Sequence, residues 1–220
     1  MLQLRVMAHT QSTPNSAPRR KRDPKGTRER LVRAALELFT TRGYHSSTTP
    51  QIAQSAKVAE GTIYRHFESK EHLLNEIYRA AVRLLISLVQ EAPAATACQE
   101  RLQHVATAWL DLAGRDPALI KLVFLTRLGS LLDSKSRDAR VELRDEVSKV
   151  IAAGKSVGEV RAGTVEVWTD VWLQLVTLAM DRTANAEWTI QHVGPQQVFD
   201  AAWDAIRARD EGPGSSLRSM

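Results

Sequence analysis

The chain has 220 residues, 43% of them apolar, a single cysteine and a formal charge of +5. That is room for one sizeable domain, or a small one joined to a larger one. The absence of any run of eighteen apolar residues predicts no transmembrane helix, the N-terminus lacks the apolar stretch and cleavage site of a signal peptide, and the lone Cys98 excludes an internal disulfide and suits a reducing cytoplasm.

The charge is unevenly placed. Residues 1–80 hold 14 Lys/Arg against 7 Asp/Glu, whereas residues 81–220 hold 16 against 18. The basic excess therefore sits wholly in the first third. It points to an anionic partner there, with nucleic acid the leading candidate, or else to a tail that only aids solubility.

Residues 1–24 are rich in Ser, Thr, Pro, Gln and Arg and read as a disordered tail, with the true start at Met1 or Met7. Its "RRKRDPK" cluster, residues 19–25, is either a phosphate-seeking arm or a solvated tail. From Thr27 the pattern is helical. Leu31, Ala34, Ala35, Leu38 and Phe39 share one helix face, and Arg42-Gly43 reads as the helix end. Thr48 with Gln51 fits a capping box, while Thr49 with Pro50 fits a cap followed by proline, and the sequence leaves both open.

A short second helix over 49–56, a turn at Lys57-Val58 and a third short helix over 60–67 follow. Ile52, Ala53, Val58, Ile63 and Phe67 are the residues that hold these helices over the first. Ser69 caps a fourth helix, which runs through Leu73, Leu74, Ile77, Tyr78, Ala81, Leu84, Leu85 and Leu88 to about Pro93. Two short helices joined by a tight turn and packed on a longer one describe a helix-turn-helix, whose second helix enters the major groove. In "AEGTIYRHF", Ile63 and Phe67 face inward, leaving Glu60, Gly61, Thr62, Tyr64, Arg65 and His66 to face out. Hydroxyl, imidazole and guanidinium groups at those positions suit phosphates and base edges. Tyr64 and His66 have packing as their alternative role, and Arg65 a merely solvated charge. Lys70 opens the fourth helix, where its charge and the helix amides can address one phosphate.

Residues 27–74, "TRERLVRAALELFTTRGYHSSTTPQIAQSAKVAEGTIYRHFESKEHLL", closely resemble the DNA-binding domain of TetR-type (TetR/AcrR family) transcriptional regulators. The resemblance implies an all-α protein: a three-helix helix-turn-helix domain at 25–70, a helical effector-binding and dimerisation bundle at 71–210, and a disordered tail at 211–220. It nominates Thr49, Gly61, Thr62, Tyr64, Arg65, His66 and Lys70 as DNA contacts. Tyr64, His66 and Lys70 are its phosphate candidates, and Thr62 and Arg65 its base readers. It implies a homodimer on a palindromic operator in double-stranded DNA, and mostly a repressor released by a small-molecule effector. Some positions depart from the pattern. Ala59 lacks a frequent serine cap, Lys57 stands where a turn glycine is frequent, Pro50 has no side-chain donor, and Glu60 is unusual on a DNA face.

Beyond Arg79 the sequence reads as further helices over 95–113, 117–132, 137–154, 161–184 and 195–209, with Pro117 and Pro195 in first turns and residues 154–163 as the clearest loop. Trp109, Phe124, Leu128, Trp168, Trp172 and Met180 are pocket candidates, with core or dimer packing as their alternative role. Trp168, Trp172, Leu175 and Ala179, with Val198, Ala202, Trp203 and Ile206, form two apolar stripes that the resemblance assigns to a two-fold interface. The catalytic reading has little support. Gly154-Lys155-Ser156 echoes the end of a phosphate loop, but its earlier glycine is replaced by Lys149, and the six histidines lack metal-ligand spacing. Neither enzyme activity, a metal nor a cofactor is expected. Two rival readings remain: a regulator without a small-molecule ligand, and a helical interaction or carrier protein with a vestigial DNA domain.

Overall fold

Three helical segments at the N-terminal end share their apolar faces with one long helix, and that helix carries the rest of the chain. The protein is seen in a computed structural model that describes residues 24–94, 96–189 and 191–209. The expected tails at 1–24 and 211–220 lie outside the described residues, apart from Pro24. Helix α1 (Pro24–Thr41) buries Leu31, Ala34, Ala35 and Phe39 as its spacing predicts, with Leu38 half-buried. Leu36 is buried as well, because α1 is covered by both α2 and α3. Gly43, at φ +86°, turns the chain where a side chain would be strained. Helix α2 (Thr49–Ser55) resolves the open choice of cap. Thr48 is the N-cap, its hydroxyl accepting from the Gln51 amide while the Gln51 side chain accepts from the Thr48 amide, and Thr49 and Pro50 lie inside the first turn.

Helix α3 (Lys70–Gln90) begins at Ser69, whose hydroxyl accepts from the His72 amide at 2.9 Å. It buries Leu73, Leu74, Ile77, Tyr78, Ala81 and Leu85, and also Val82, Ile86 and Val89. Leu84 is 41% exposed and Leu88 half-buried, contrary to the single predicted stripe. The reason is that α3 is covered on more than one side, by α1, α4 and α6. Each fully buried aliphatic side chain stabilises by about 1.5–3 kcal/mol, so α3 contributes a large share of the core of both halves.

The later elements are α4 (Cys98–Arg115), α5 (Pro117–Ile120), α6 (Ser134–Ser156), α7 (Val165–Ala184) and α8 (Val193–Ile206). Several bounds correct the sequence reading. The helix expected over 117–132 ends early: α5 widens into a π-helical turn over Lys121–Leu125, and a 3-10 turn over Gly129–Leu131 follows. Both the amide and the hydroxyl of Thr126 donate to the Lys121 carbonyl at 2.8 Å, which closes the wide turn and leaves Thr126 extended. Helix α6 starts three residues earlier than predicted because Asp133 caps it, accepting from the Ser136 amide at 2.7 Å. It also runs to Ser156, so the loop begins later. Helices α7 and α8 lose their predicted outer residues to backbone pairing: the Arg161 amide donates to Ile206 and the Ala208 amide to Glu159, around a bridge between Val160 and Arg207. Cys98 lies under α6, where a Cβ on Gly154 would approach its Cβ to 2.5 Å, and burial pushes its thiol up to about 11.

Polar ties complete the join between the halves. Asn75, buried on α3, donates to the Leu131 carbonyl and accepts from the Asp133 amide, both at 2.9 Å. Arg79 donates to Asp133 at 2.7 Å and to Glu76 at 2.9 Å, and Arg28 of α1 donates to the other Glu76 oxygen at 2.8 Å. A second tie runs from Arg33 of α1 to Asp116 at 2.7 Å.

The hydrogen bond from Arg79 holds the Glu76 carboxyl below its ordinary value. Burial pushes the Asp133 carboxyl up, but bonds from Ser136 and Arg79 more than offset this and leave it lowered. Depressed carboxylates contribute stability that is present above the unfolded-state values, about 4 for both groups, and is lost as pH falls through the folded values. Thermal unfolding should therefore show a midpoint that drops below about pH 4. Glu76→Gln should start from a lower midpoint at pH 7 and lose less of it on acidification.

Candidate nucleic-acid interface

The segment after α2 turns at Lys57, which sits at φ +55°. This is the left-handed conformation that makes glycine frequent at such a turn, and Lys57 adopts it at the expense of strain. The recognition segment that follows is a 3-10 helix over Glu60–Arg65, not the α-helix over 60–67 read from the sequence. Ala59 supplies no side-chain cap, so the segment starts on the bare bond from the Thr62 amide to the Ala59 carbonyl, 2.8 Å. Ile63 and Phe67 are buried in the shared core, as their spacing predicts, with Arg28 of α1 and His72 of α3 against the Phe67 ring.

These anchors turn the remaining side chains outward. Gly61 and Arg65 are exposed, and Tyr64 is 56% exposed. Thr62 and His66 are half-buried. No atom lies within 4 Å of where a Gly61 Cβ would stand, so the segment's start is open to close approach. The Tyr64 hydroxyl reaches back to the Thr49 hydroxyl at 3.0 Å. That bond joins the start of α2 to the recognition segment and presents two hydroxyls side by side.

Lys70 plays a different part from the free cation expected of it. Its ammonium donates to the Tyr44 and Ser47 carbonyls, both at 2.9 Å, and lies 4.1 Å from the centre of the Tyr44 ring. Burial lowers its pKa. Two of its three donors are thus taken in fastening the loop between α1 and α2 to the start of α3. Ser47, fully buried, donates its hydroxyl to the Gly43 carbonyl at 2.8 Å and completes the fastening. The first turns of α2 and α3 open on a shared notch of about 390 Å³, lined by His45, Ser47, Thr48, Thr49, Tyr64, Glu68, Ser69 and Lys70. Hydroxyls, a partly buried ammonium and helix-start amides around one concavity suit an anion of phosphate size. Sequence reasoning passed over His45 and Thr48 here. Thr48 carried a signal in its capping box, but His45 carried none.

Of the pocket candidates in the C-terminal half, three come together. The Trp109 ring lies 5.5 Å from Phe124 and 6.1 Å from Trp172, and its indole N–H donates to the Leu85 carbonyl of α3 at 3.2 Å. Leu128 and Met180 are buried in the same continuous core. The cavity that Trp172 lines on another side, with Leu102, Ala106, Phe199 and Trp203, holds only about 10 Å³. Trp168 stands elsewhere, with the Arg161 guanidinium 5.0 Å from its ring and Gly163 beneath it. The two-fold stripes also need correction. Trp172, Ala179, Ala202 and Ile206 are at most 2% exposed within the protomer, so they are core. Apolar side chains left exposed or half-exposed include Val167, Val171, Leu175 and Leu178 on α7, and Val193, Val198, Ala201, Trp203 and Ala205 on α8. No group of three or more His, Cys, Asp and Glu suited to a metal occurs among the described residues, and no described helix is long and apolar enough to cross a membrane.

Comparison with known proteins agrees with this geometry. Residues 31–77 match the family described as bacterial regulatory proteins, tetR family. The HTH-type transcriptional regulator TcmR of Streptomyces glaucescens is 28% identical over 215 residues, 90% of each chain. The fatty acid metabolism regulator protein of Bacillus subtilis is 27% identical over 165 residues, 70% of this chain and 80% of that one. Among solved structures, a TetR family transcription regulator from Marinobacter aquaeolei VT8 superposes with a TM-score of 0.73 at 15% identity, covering 84% of this chain and 97% of that one.

Two substitutions separate local strain from local fastening. Lys57→Gly should raise stability by roughly 0.5–1 kcal/mol, the relief of left-handed strain less the added chain entropy, in chemical denaturation. Lys70→Met should lower stability and loosen residues 43–48, seen as faster amide exchange at Ser47, because two carbonyls lose their donor.

Proposed function

We propose that the chain is a transcriptional regulator of the TetR family that acts as a homodimeric repressor released from its operator by a small-molecule ligand. The observation that carries the DNA-binding part is the outward set Thr49, Gly61, Thr62, Tyr64, Arg65 and His66 beside the notch that Lys70 closes. Tyr64, Thr49 and His66 are assigned to phosphates on this reading, and Thr62 and Arg65 to base edges in the major groove. Lys70 offers the phosphate its remaining donor while holding the notch in shape. Such a protein works where the DNA is, in the cytoplasm.

The homodimer is supported by the outward apolar face of α7 and α8. Val167 and Leu178 are 49% and 41% exposed, and Val171 and Leu175 lie between them at helical spacing. Two copies of this face around a two-fold axis make a four-helix contact, and they set two recognition segments toward half-sites about one helical turn, roughly 34 Å, apart. Release by a ligand is supported by the two ionic ties between the halves, Arg33 to Asp116 and the chain Arg28–Glu76–Arg79–Asp133. A ligand that prefers one arrangement of the C-terminal helices shifts the DNA-binding half by that preference and no more.

A second reading, a regulator controlled without a small-molecule ligand, is favoured by the mutual packing of the Trp109, Phe124 and Trp172 rings, which spends these pocket candidates on one another. Selection of duplexes from a random pool decides the DNA part. The wild type should enrich a palindrome, Tyr64→Ala should lose it, and Arg65→Ala should relax one position and reduce the salt slope by about one ion. Leu178→Glu should leave the fold intact but give a monomer in analytical ultracentrifugation and abolish palindrome binding. Failure to enrich any sequence at low salt would overturn the DNA-binding reading, and a Leu178→Glu variant that stays dimeric would overturn the interface.

A further inference from the structure

A cleft of about 390 Å³ opens between the last turns of α4 and the end of α7, lined by Asp111, Gly114 and Arg115 on one side and Thr183, Ala186, Trp188 and Thr189 on the other. It is separate from the Trp109 cluster and from the DNA face. Its size falls at the lower end of the range for small-molecule sites. We propose that this cleft binds an uncharged, flat aromatic molecule bearing hydroxyl or carbonyl groups, and that its occupancy lowers operator affinity. The second clause rests on the repressor reading, and the first does not.

The aromatic preference comes from Trp188. Its ring is stacked on His192, centroids 5.4 Å apart and planes within 10°, and is backed by Gly194, where any Cβ would meet the indole at 2.9 Å. Its amide donates to the Arg182 carbonyl, as does that of Glu187, around Ala186 held at φ +59°. The indole is thus a fixed wall, and a ligand ring stacked on it loses little freedom that the protein has not already surrendered. Opposite it, Gly114 is what keeps the cleft open, since the nearest atom to a Cβ there is a Thr183 methyl at 3.9 Å.

The preference for a neutral molecule comes from the charges. Asp111 and Arg115 pair with each other along α4, and Arg182 pairs with Glu187 outside the cleft. The first pair balances its own charge at the solvent-exposed rim, so the cleft offers an entering ion no net attraction. Hydrogen bonding is still on offer: Thr189 is exposed, and the Thr183 hydroxyl is buried in the wall with no protein partner. A buried polar group without a partner is costly, and a ligand oxygen that draws the Thr183 hydroxyl round recovers that cost. Coupling to DNA comes from position. Arg115 is followed by Asp116, whose carboxylate holds Arg33 of α1, so the tie to the DNA-binding half begins one residue past the cleft wall.

Isothermal titration of the full chain with 2-naphthol, naphthalene and 2-naphthoate tests the binding. One saturable site per protomer for 2-naphthol, at least tenfold tighter than for the other two, is expected. Gly114→Leu fills the cleft from an exposed helical position, so it should weaken 2-naphthol at least tenfold without lowering the thermal midpoint, and Trp188→Leu should weaken it as well. Absence of saturable binding, tighter binding of the naphthoate, or binding indifferent to Gly114→Leu would overturn the site. Saturating 2-naphthol should also weaken affinity for the selected palindrome at least fivefold in the wild type and not in Gly114→Leu. Binding without that shift would overturn the regulatory role and leave the site standing. A protein that selects no palindrome would sink the repressor reading, while the calorimetry would still judge the cleft.

Discussion

The double burial of α3 is the constraint on which everything else depends. One helix cannot satisfy two cores with a single apolar stripe, so α3 carries a broad arc that runs from Leu73 and Leu74 under the DNA-binding helices to Leu85 and Val89 under α4 and α6. The polar groups on its flanks are then committed too. Asn75 and Arg79 reach the residues that cap α6, Glu76 reaches α1, and Trp109 donates to the Leu85 carbonyl. Moving either half without moving α3 would strand buried donors and acceptors, each costly to leave unpaired.

At the N-terminal end, fastening and presentation are the same act. The Lys70 ammonium gathers two loop carbonyls, and by doing so shapes the notch beside Tyr64 and Thr49. A short 3-10 segment with one buried residue of its own, Ile63, has little internal stability, because such turns have poorer hydrogen-bond geometry. Its shape is imposed from outside, by Ile63 and Phe67 pressed into the core and by the hydroxyl bond at Tyr64. The outward side chains can therefore stay exposed without the segment fraying.

Much of this was legible in the sequence, and the rest was not for identifiable reasons. Local signals served well where they were strong: Gly43 as a helix end, Ser69 as a cap, Pro117 in a first turn, Ile63 and Phe67 as inward anchors. The choice between Thr48 and Thr49 needed the actual backbone, because both fit a cap. Helical periodicity continued through 117–132 and gave no warning that Thr126 would take over a carbonyl and end the helix. The α7 stripe was rotated by one residue because Trp172 and Ala179 keep helical spacing whether the helix turns them to the core or to a partner. Spacing fixes which residues share a face, not which neighbour covers it. Trp188 lay in a turn with no periodicity at all, so nothing marked it as a cleft wall.

The seat of Cys98 gives the C-terminal half a clock of its own. The thiol lies beneath Gly154, close enough that even a methyl group there would collide, and its raised pKa leaves almost no thiolate at neutral pH. Alkylation is therefore confined to moments when the thiol is uncovered. Because the chain holds one cysteine, the rate at which label accumulates reports that uncovering directly, with no competing thiol to subtract. A slow, single-phase reaction would time the breathing of the bundle in the protein's own sequence, without any engineered probe.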